Sequence, residues 1–242
     1  MKTILARTRS TMVIAARELR SSFNSPVAYV VIVVFLAIIG YFHANNLFLI
    51  NVASMRMTFE FAPLAFLFII PAITMRLISE EMKTGTLELL STKPLLDIEV
   101  VLGKFFAAWA LIVLALAPTL IYALTMGTLG ELDSGPVIGG YVGLVLVAAV
   151  YVSLGLLASS ITENQIIAFI LGFLFCFAFF MFDKVLIYMP GFLAGIVEYL
   201  GADYHYQNIA RGVIDTRDLV YFVSVTGFAL YLSVLSLQRR TW

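Results

Sequence analysis

Six long, predominantly apolar stretches follow one another along this chain. A helix of about 20 apolar residues crosses a lipid bilayer. The second stretch is the least regular, because only Phe61 to Met75 is free of charge and because Pro63 and Pro71 interrupt it. The sequence therefore predicts an all-α, polytopic membrane protein with six transmembrane helices, at residues 27–50, 59–78, 105–129, 137–161, 165–182 and 219–237.

The composition supports this fold class. Hydrophobic residues make up 62% of the chain and charged residues 12%, whereas soluble domains carry roughly 25% charged residues. Residues 1–242 are interpreted as one membrane domain. Fifteen basic and fifteen acidic residues give no net charge, so no overall basic field attracts nucleic acid. The single cysteine, Cys176, lies in an apolar stretch and is interpreted as a packing residue.

One polar segment, residues 76–104, separates the second apolar stretch from the third. It contains nine of the thirty charged residues. Ionised groups at the bilayer centre cost several kcal/mol each, so this segment lies in water or at the membrane surface. Asp97 is interpreted as the N-cap of the next helix, with Glu99 in its first turn. We expect a compact helix from Thr86 to Thr92 on one membrane face, within a coupling segment of residues 79–104 that Pro94 divides.

The first 25 residues indicate an amphipathic helix that lies on the membrane surface. Five basic residues stand against Glu18 alone, with apolar residues interleaved at near-helical spacing. A signal peptide is the competing interpretation. It is disfavoured because residues 27–50 exceed the apolar core of a signal peptide and contain no clear cleavage site.

Basic residues also give the orientation, because loops on the cytoplasmic side carry an excess of Lys and Arg. Six helices put both termini on one side. With cytoplasmic termini, eleven basic residues lie inside and four outside. The four outside are Arg56, Lys184, Arg211 and Arg217.

Residues 183–218 form an outer segment of mixed character. Gly201 can end one helix there and Asp203 can cap another. We expect short re-entrant helices before the sixth transmembrane helix. Five tyrosines fit an aromatic belt at the membrane surface: Tyr188, Tyr199, Tyr204, Tyr206 and Tyr221.

Small residues recur at intervals of four in the fourth and fifth transmembrane helices, at Gly139 and Gly143, at Gly155 and Ser159, and from Ala168 to Cys176. Such spacing allows two helices to approach closely in lipid. Close packing is the preferred interpretation, and a substrate path is the alternative.

The residue inventory disfavours enzymes. His43 and His205 lack the spacing of a metal site, and Gly103-Lys104 is preceded by Ile98 where a phosphate loop needs glycine. No nucleophile and base for an intramembrane hydrolase are recognisable, and few charges at mid-membrane depth argue against proton-coupled transport. We therefore predict no catalytic site, no metal and no cofactor in this chain.

The principal motif of the polar segment is Glu80-Glu81-Met82-Lys83-Thr84-Gly85-Thr86-Leu87-Glu88-Leu89-Leu90, followed by Leu102-Gly103-Lys104-Phe105. It resembles the cytoplasmic segment after the second membrane helix of ABC type-2 exporter permeases. Three further stretches resemble the subgroup associated with gliding motility and nitrous-oxide-reductase maturation: Arg17-Glu18-Leu19-Arg20, the run from Ser159 to Gln165, and Ala210-Arg211-Gly212-Val213-Ile214-Asp215. Together these motifs cover nearly the whole chain.

The resemblance implies a permease subunit without its own catalytic site in a bacterial inner membrane. Two copies of a separate ATPase would bind ATP and Mg, and a second permease copy or a homologous permease would complete the complex, with membrane lipids around it. An accessory periplasmic or membrane-anchored protein is an optional further partner. The implied coupling residues, whose carboxylates would pair with basic groups of the ATPase, are Glu80, Glu81, Lys83, Thr84, Gly85, Thr86 and Glu88. Gly85 would allow a tight helix entry, and a second cytoplasmic contact would involve Thr162, Glu163, Asn164 and Gln165.

One alternative from another class stays open. An ABC-type assembly factor would transmit force to periplasmic or motility machinery without moving a conventional solute. The sequence does not separate this function from export.

Overall fold

The computed structural model describes residues 2–50, 54–86, 96–130, 133–182, 184, 201–213 and 215–239. Every regular element in these ranges is helical. The α-helices are α1 Lys2–Asn24, α2 Pro26–Ile50, α3 Arg56–Thr74, α4 Ser79–Thr84, α5 Asp97–Leu116, α6 Leu120–Leu129, α7 Ser134–Ile161, α8 Gln165–Met181, α9 Ala202–Ala210 and α10 Thr216–Gln238. A short 3-10 turn, Ala117–Thr119, joins α5 to α6.

Five helical spans in the described residues are long and apolar enough to cross a membrane. They are α2, α3 with its extension through α4, α5 with α6, α7, and α10. Helix α8 is apolar but has only 17 residues. The protein is therefore a multi-pass, all-helical membrane protein.

The two prolines of the second apolar stretch do not interrupt its helix. Helix α3 is continuous from Arg56 to Thr74 and includes both Pro63 and Pro71. The expectation of a twice-broken helix is wrong because a packed environment tolerates proline inside a membrane helix. Most of the residues of α3 from Thr58 onward are buried against neighbouring helices.

Helix α7 occupies the centre of the bundle and packs against α3, α8, α9 and α10. Its small residues make the closest of these contacts. A Cβ atom at Gly155 would lie 2.1 Å from Thr74 Oγ1, and one at Gly143 would lie 2.8 Å from the Tyr206 ring. The prediction that these small residues serve close packing is confirmed.

Helix α1 packs lengthwise against α5. Ile14 is buried at this contact, and a Cβ atom at Gly103 would lie 2.6 Å from Ile14 Cγ2. The opposite side of α1 exposes Met12 and Val13 together with Arg20. One side of α1 thus packs against α5, and the outer side of α1 exposes apolar side chains together with an arginine.

The bundle has two ends, which we call the α4 face and the distal face. The α4 face contains α1, α4, the start of α5 and the last turns of α7 and α10; there Ser236 Oγ donates a hydrogen bond to the Ser160 carbonyl. The distal face contains α9 together with the start of α10 and the far ends of α3 and α7.

Two expected helix caps differ in the structure. Leu96, not Asp97, is the N-cap of α5, and its N–H donates to the Glu99 carboxylate at 3.2 Å. Helix α5 begins at Asp97, whereas the third transmembrane helix was expected from Phe105. Gly201 is the N-cap of α9, and Asp203 lies in its first turn.

The aromatic-belt prediction is wrong for two of its tyrosines. Tyr206 and Tyr221 are buried, and the Tyr206 hydroxyl donates to the Phe59 carbonyl at 2.7 Å. Their rings fill space between helices because α9 packs against α7 and α10. Tyr188 and Tyr199, and half of the predicted outer segment, lie outside the described residues.

Candidate coupling site

Helix α4 is a single short helix that ends in a glycine cap. Gly85 has φ 69°, a left-handed conformation that glycine adopts without steric cost, and its N–H donates to the Met82 carbonyl. Two threonine hydroxyls satisfy further carbonyls: Thr84 bonds Glu80 O at 2.9 Å, and Thr86 bonds Glu81 O at 3.3 Å. Gly85 therefore ends α4, and residues 87–92 of the helix that it was expected to open lie outside the described residues.

The turn between α3 and α4 is fastened to α7 by one serine. The fully buried Ser159 hydroxyl accepts hydrogen bonds from the N–H groups of Ile78 and Ser79, at 3.1 and 3.0 Å. It donates to the Met75 carbonyl at 3.0 Å, and the Ser79 hydroxyl donates to the same carbonyl. The α3–α4 turn is thus bonded directly to α7.

An ionic cluster joins α4 to α5 and α1. Lys104 Nζ lies 2.7 Å from Glu81 Oε1 and 3.7 Å from Glu18 Oε1. The Lys104 side chain is 1% exposed. Glu18 also accepts a hydrogen bond from Arg17 at 2.8 Å. Sequence reasoning included Lys104 in a motif but missed this role; a lysine within a helix of apolar neighbours was the available signal.

The loop between α7 and α8 lies on the same face. Thr162 Oγ1 accepts the Asn164 N–H at 3.2 Å, and Asn164 Oδ1 accepts the Ile166 N–H at 2.9 Å, which caps α8. Glu163 and Asn164 are exposed, and Thr162 and Gln165 are partly exposed. Helix α4 contacts both α7 and α8, so the structure brings the two predicted contact regions together.

The family model described as ABC-2 family transporter protein matches residues 12–237. The chain belongs to this family. A comparison with curated proteins found no match. Members of the family are membrane components of ABC transporters, are generally non-catalytic, and normally work with an ABC ATPase.

The predicted coupling residues of this ABC-2 permease divide into two groups. Lys83, Thr84, Gly85 and Thr86 are exposed, and Glu80 is 47% exposed beside Arg76. Glu81 is instead turned toward Lys104. Glu88 lies outside the described residues. The accessible part of α4 is therefore its carboxyl-terminal half together with Glu80.

The distal face of the permease contains a cavity of about 730 Å³. Phe59, Val137 and Phe180 contribute apolar surface to it. Four of the charged groups in its wall form two ion pairs: Arg56 with Glu60 at 3.0 Å, and Lys184 with Asp203 at 2.8 Å. The described lining residues all lie at the distal end of the bundle.

A second distal feature escaped the sequence analysis. His205 Nδ1 lies 2.6 Å from Asp218 Oδ1, both side chains are buried, and the His205 ring stacks on Tyr221. The pair joins α9 to α10. Its residues are 13 apart across a turn, a separation that matches no helical or strand period.

Proposed function

We propose that this chain is the permease subunit of an ATP-driven exporter in a bacterial inner membrane. It pairs with a second permease copy, or a homologous permease, and with two ATPase subunits that bind ATP and Mg. Both termini and the α4 face lie in the cytoplasm, an orientation supported by the excess of basic residues there. The motifs quoted above favour the subgroup associated with gliding motility and nitrous-oxide-reductase maturation.

The observation that carries this proposal is the surface formed by α4 and the α7–α8 loop. Glu80, Lys83 and Glu163 place charges of both signs on the α4 face, where α4 contacts both α7 and α8. Charged groups at such a surface select and orient a partner. An ATPase that binds there reaches α4 directly and needs no ATP site in this chain.

The mechanism follows from how α4 is held. Closure of the ATPases on ATP pushes α4, and the Ser159 hydrogen bonds and the close contact of Gly155 with Thr74 pass this movement to α7. Because α7 packs against α3, α8, α9 and α10, the bundle moves as a unit. In this proposal α8 also crosses the membrane, as the fifth of six transmembrane helices.

The transport path lies between two permease copies. The distal cavity is lined by residues from one end of the bundle, which favours a vestibule over a channel through one subunit. The path then opens when the two bundles rock against each other.

Force transmission without solute transport is the second candidate, and the α7–α9 contact favours it. A Cβ atom at Gly139 would lie 2.0 Å from the Ile209 carbonyl oxygen, so α7 connects the α4 turn to α9 at the distal face. A partner bound to α9 would receive this movement. Transport of a lipid or solute by the reconstituted complex would support export. Absence of transport, together with ATP hydrolysis that responds to a distal partner, would support force transmission.

Co-purification tests the proposal. The complex of permease and ATPase is captured through a tag on the permease, and hydrolysis is measured in nanodiscs. Lys83→Glu and Glu80→Lys should weaken capture of the ATPase, because a reversed charge at a docking surface costs several kcal/mol. Arg56→Glu on the distal face is the matched control and should leave capture unchanged. Wild-type capture for both α4 variants, or ATP hydrolysis by the permease alone, would contradict the proposal.

A further inference from the structure

Lys104 carries a positive charge where almost no water reaches it. Its side chain is 1% exposed. A buried ammonium group is stable only when nearby carboxylates replace its lost hydration. Here the carboxylates come from two other helices, Glu81 of α4 and Glu18 of α1. One buried charge therefore joins three helices at a single point.

The Glu81 carboxylate points into the protein. Oε1 holds Lys104 at 2.7 Å. Oε2 is also buried and has no hydrogen-bond partner among the residues that the structure describes. A docking ATPase could engage this carboxylate only by removing it from Lys104, which would leave a buried ammonium with the more distant Glu18 alone. Glu81 is thus an internal contact, whereas Glu80 and Lys83 are accessible.

The α1 side of the cluster is equally constrained. Glu18 is held by Arg17 as well as by Lys104. Directly before Lys104, Gly103 allows α1 to approach so closely that a Cβ atom there would lie 2.6 Å from Ile14 Cγ2. Close packing fixes the distance between α1 and α5, and the ion pair connects that pair of helices to α4.

We propose that Lys104 is a positioning residue that makes α1, α4 and the start of α5 respond together when the ATPase acts on α4. This inference rests on the proposed docking at α4. It assigns Glu81 to transmission rather than to docking, and it gives the amino-terminal helix a part in coupling. Without Lys104, α4 still binds the ATPase, but its movement no longer reaches α1.

The test uses three variants of the full-length permease in complex with its ATPase. Lys104→Met removes the ammonium but keeps an unbranched apolar side chain. The double variant Lys104→Met with Glu81→Gln also removes the unpaired carboxylate, and replacing both members of a buried ion pair is often neutral for stability. Arg17→Met is the matched control, because Arg17 pairs with the same Glu18 but links no two helices.

Two measurements are made in nanodiscs. Capture of the ATPase should equal wild type in all three variants, whereas ATP hydrolysis stimulated by the permease should fall ~5–150-fold in both Lys104 variants, the range typical of coupling between sites. In wild type and in Arg17→Met, addition of the ATPase and ATP should change the hydrogen-exchange rates of both α4 and α1. In the Lys104 variants only α4 should respond.

The double variant separates coupling from stability. We expect its thermal midpoint to approach that of wild type while its stimulated hydrolysis stays low. Recovery of stimulated hydrolysis together with stability, or an unchanged α1 response in Lys104→Met, would overturn the inference and leave docking at α4 intact. Absence of any α4 response in wild type would instead show that the proposed docking itself is wrong.

Discussion

Ser159→Ala should loosen the turn between α3 and α4 more than any other single hydroxyl deletion in α7. The Ser159 hydroxyl accepts hydrogen bonds from the backbone N–H groups of Ile78 and Ser79, and both hydrogen bonds are buried. Alanine leaves both donors without that acceptor. Each unsatisfied buried donor costs about 1–3 kcal/mol, so the free energy of unfolding should fall by ~2–6 kcal/mol.

Ser153→Ala is the matched control in the same helix. Ser153 is also fully buried, but its hydroxyl only donates to the Val150 carbonyl one turn away. Its removal leaves no backbone donor unpaired, and we expect a loss of ~1 kcal/mol or less.

Stability is measured by reversible unfolding in mixed micelles, and local opening by hydrogen exchange at Ile78 and Ser79. Exchange at these amides should accelerate in Ser159→Ala and stay at the wild-type rate in Ser153→Ala. Equal stability of the two variants, within ~0.5 kcal/mol, with protected amides at Ile78 and Ser79 would refute the reasoning.

Three further predictions concern other parts of the fold. Gly155→Ala should destabilise the permease by about 1–3 kcal/mol in the same unfolding assay, because its Cβ would lie 2.1 Å from Thr74 Oγ1; Gly127→Ala, with no atom within 4 Å of its Cβ, should not. The Arg217 N–H donates to the Asp215 carboxylate and lowers the pKa of that group. Asp215→Ala should therefore lower the thermal midpoint at pH 7, and the difference from wild type should vanish as the pH falls below ~3.9 and through the depressed pKa. A difference that persists in acid would exclude the charge of Asp215 as its cause. In a Cys176→Ser background, Lys83→Cys and Asp133→Cys should react with an impermeant thiol reagent from opposite sides of the membrane, and same-side labelling would invalidate the assigned faces.

The helical architecture was accessible from the sequence because lipid imposes a simple rule. A membrane-spanning backbone must satisfy its own hydrogen bonds, so long apolar stretches indicate helices. The same rule did not predict that α3 would stay continuous through Pro63 and Pro71, since packing by neighbouring helices decides whether proline interrupts a helix.

Pairing between distant charges was less accessible. Lys104, Glu81 and Glu18 belong to three different helices, and no periodic pattern of the sequence connects them. The motif from Glu80 to Thr86 showed that this part of the chain is polar, but its side chains could be divided into inward and outward groups only after α5 and α1 were placed beside it. The pair formed by His205 and Asp218 was missed for the same reason.

Site-specific photocrosslinking in membranes tests the central claim, that the ATPase binds the α4 face. A photoreactive amino acid is introduced at Lys83 on α4 and, as the matched position on the distal face, at Arg56; both side chains are exposed. With the ATPase co-expressed, irradiation should give a covalent adduct with the ATPase from position 83 and none from position 56. An adduct from position 56 and none from position 83 would place the ATPase on the opposite end of the bundle and contradict the account.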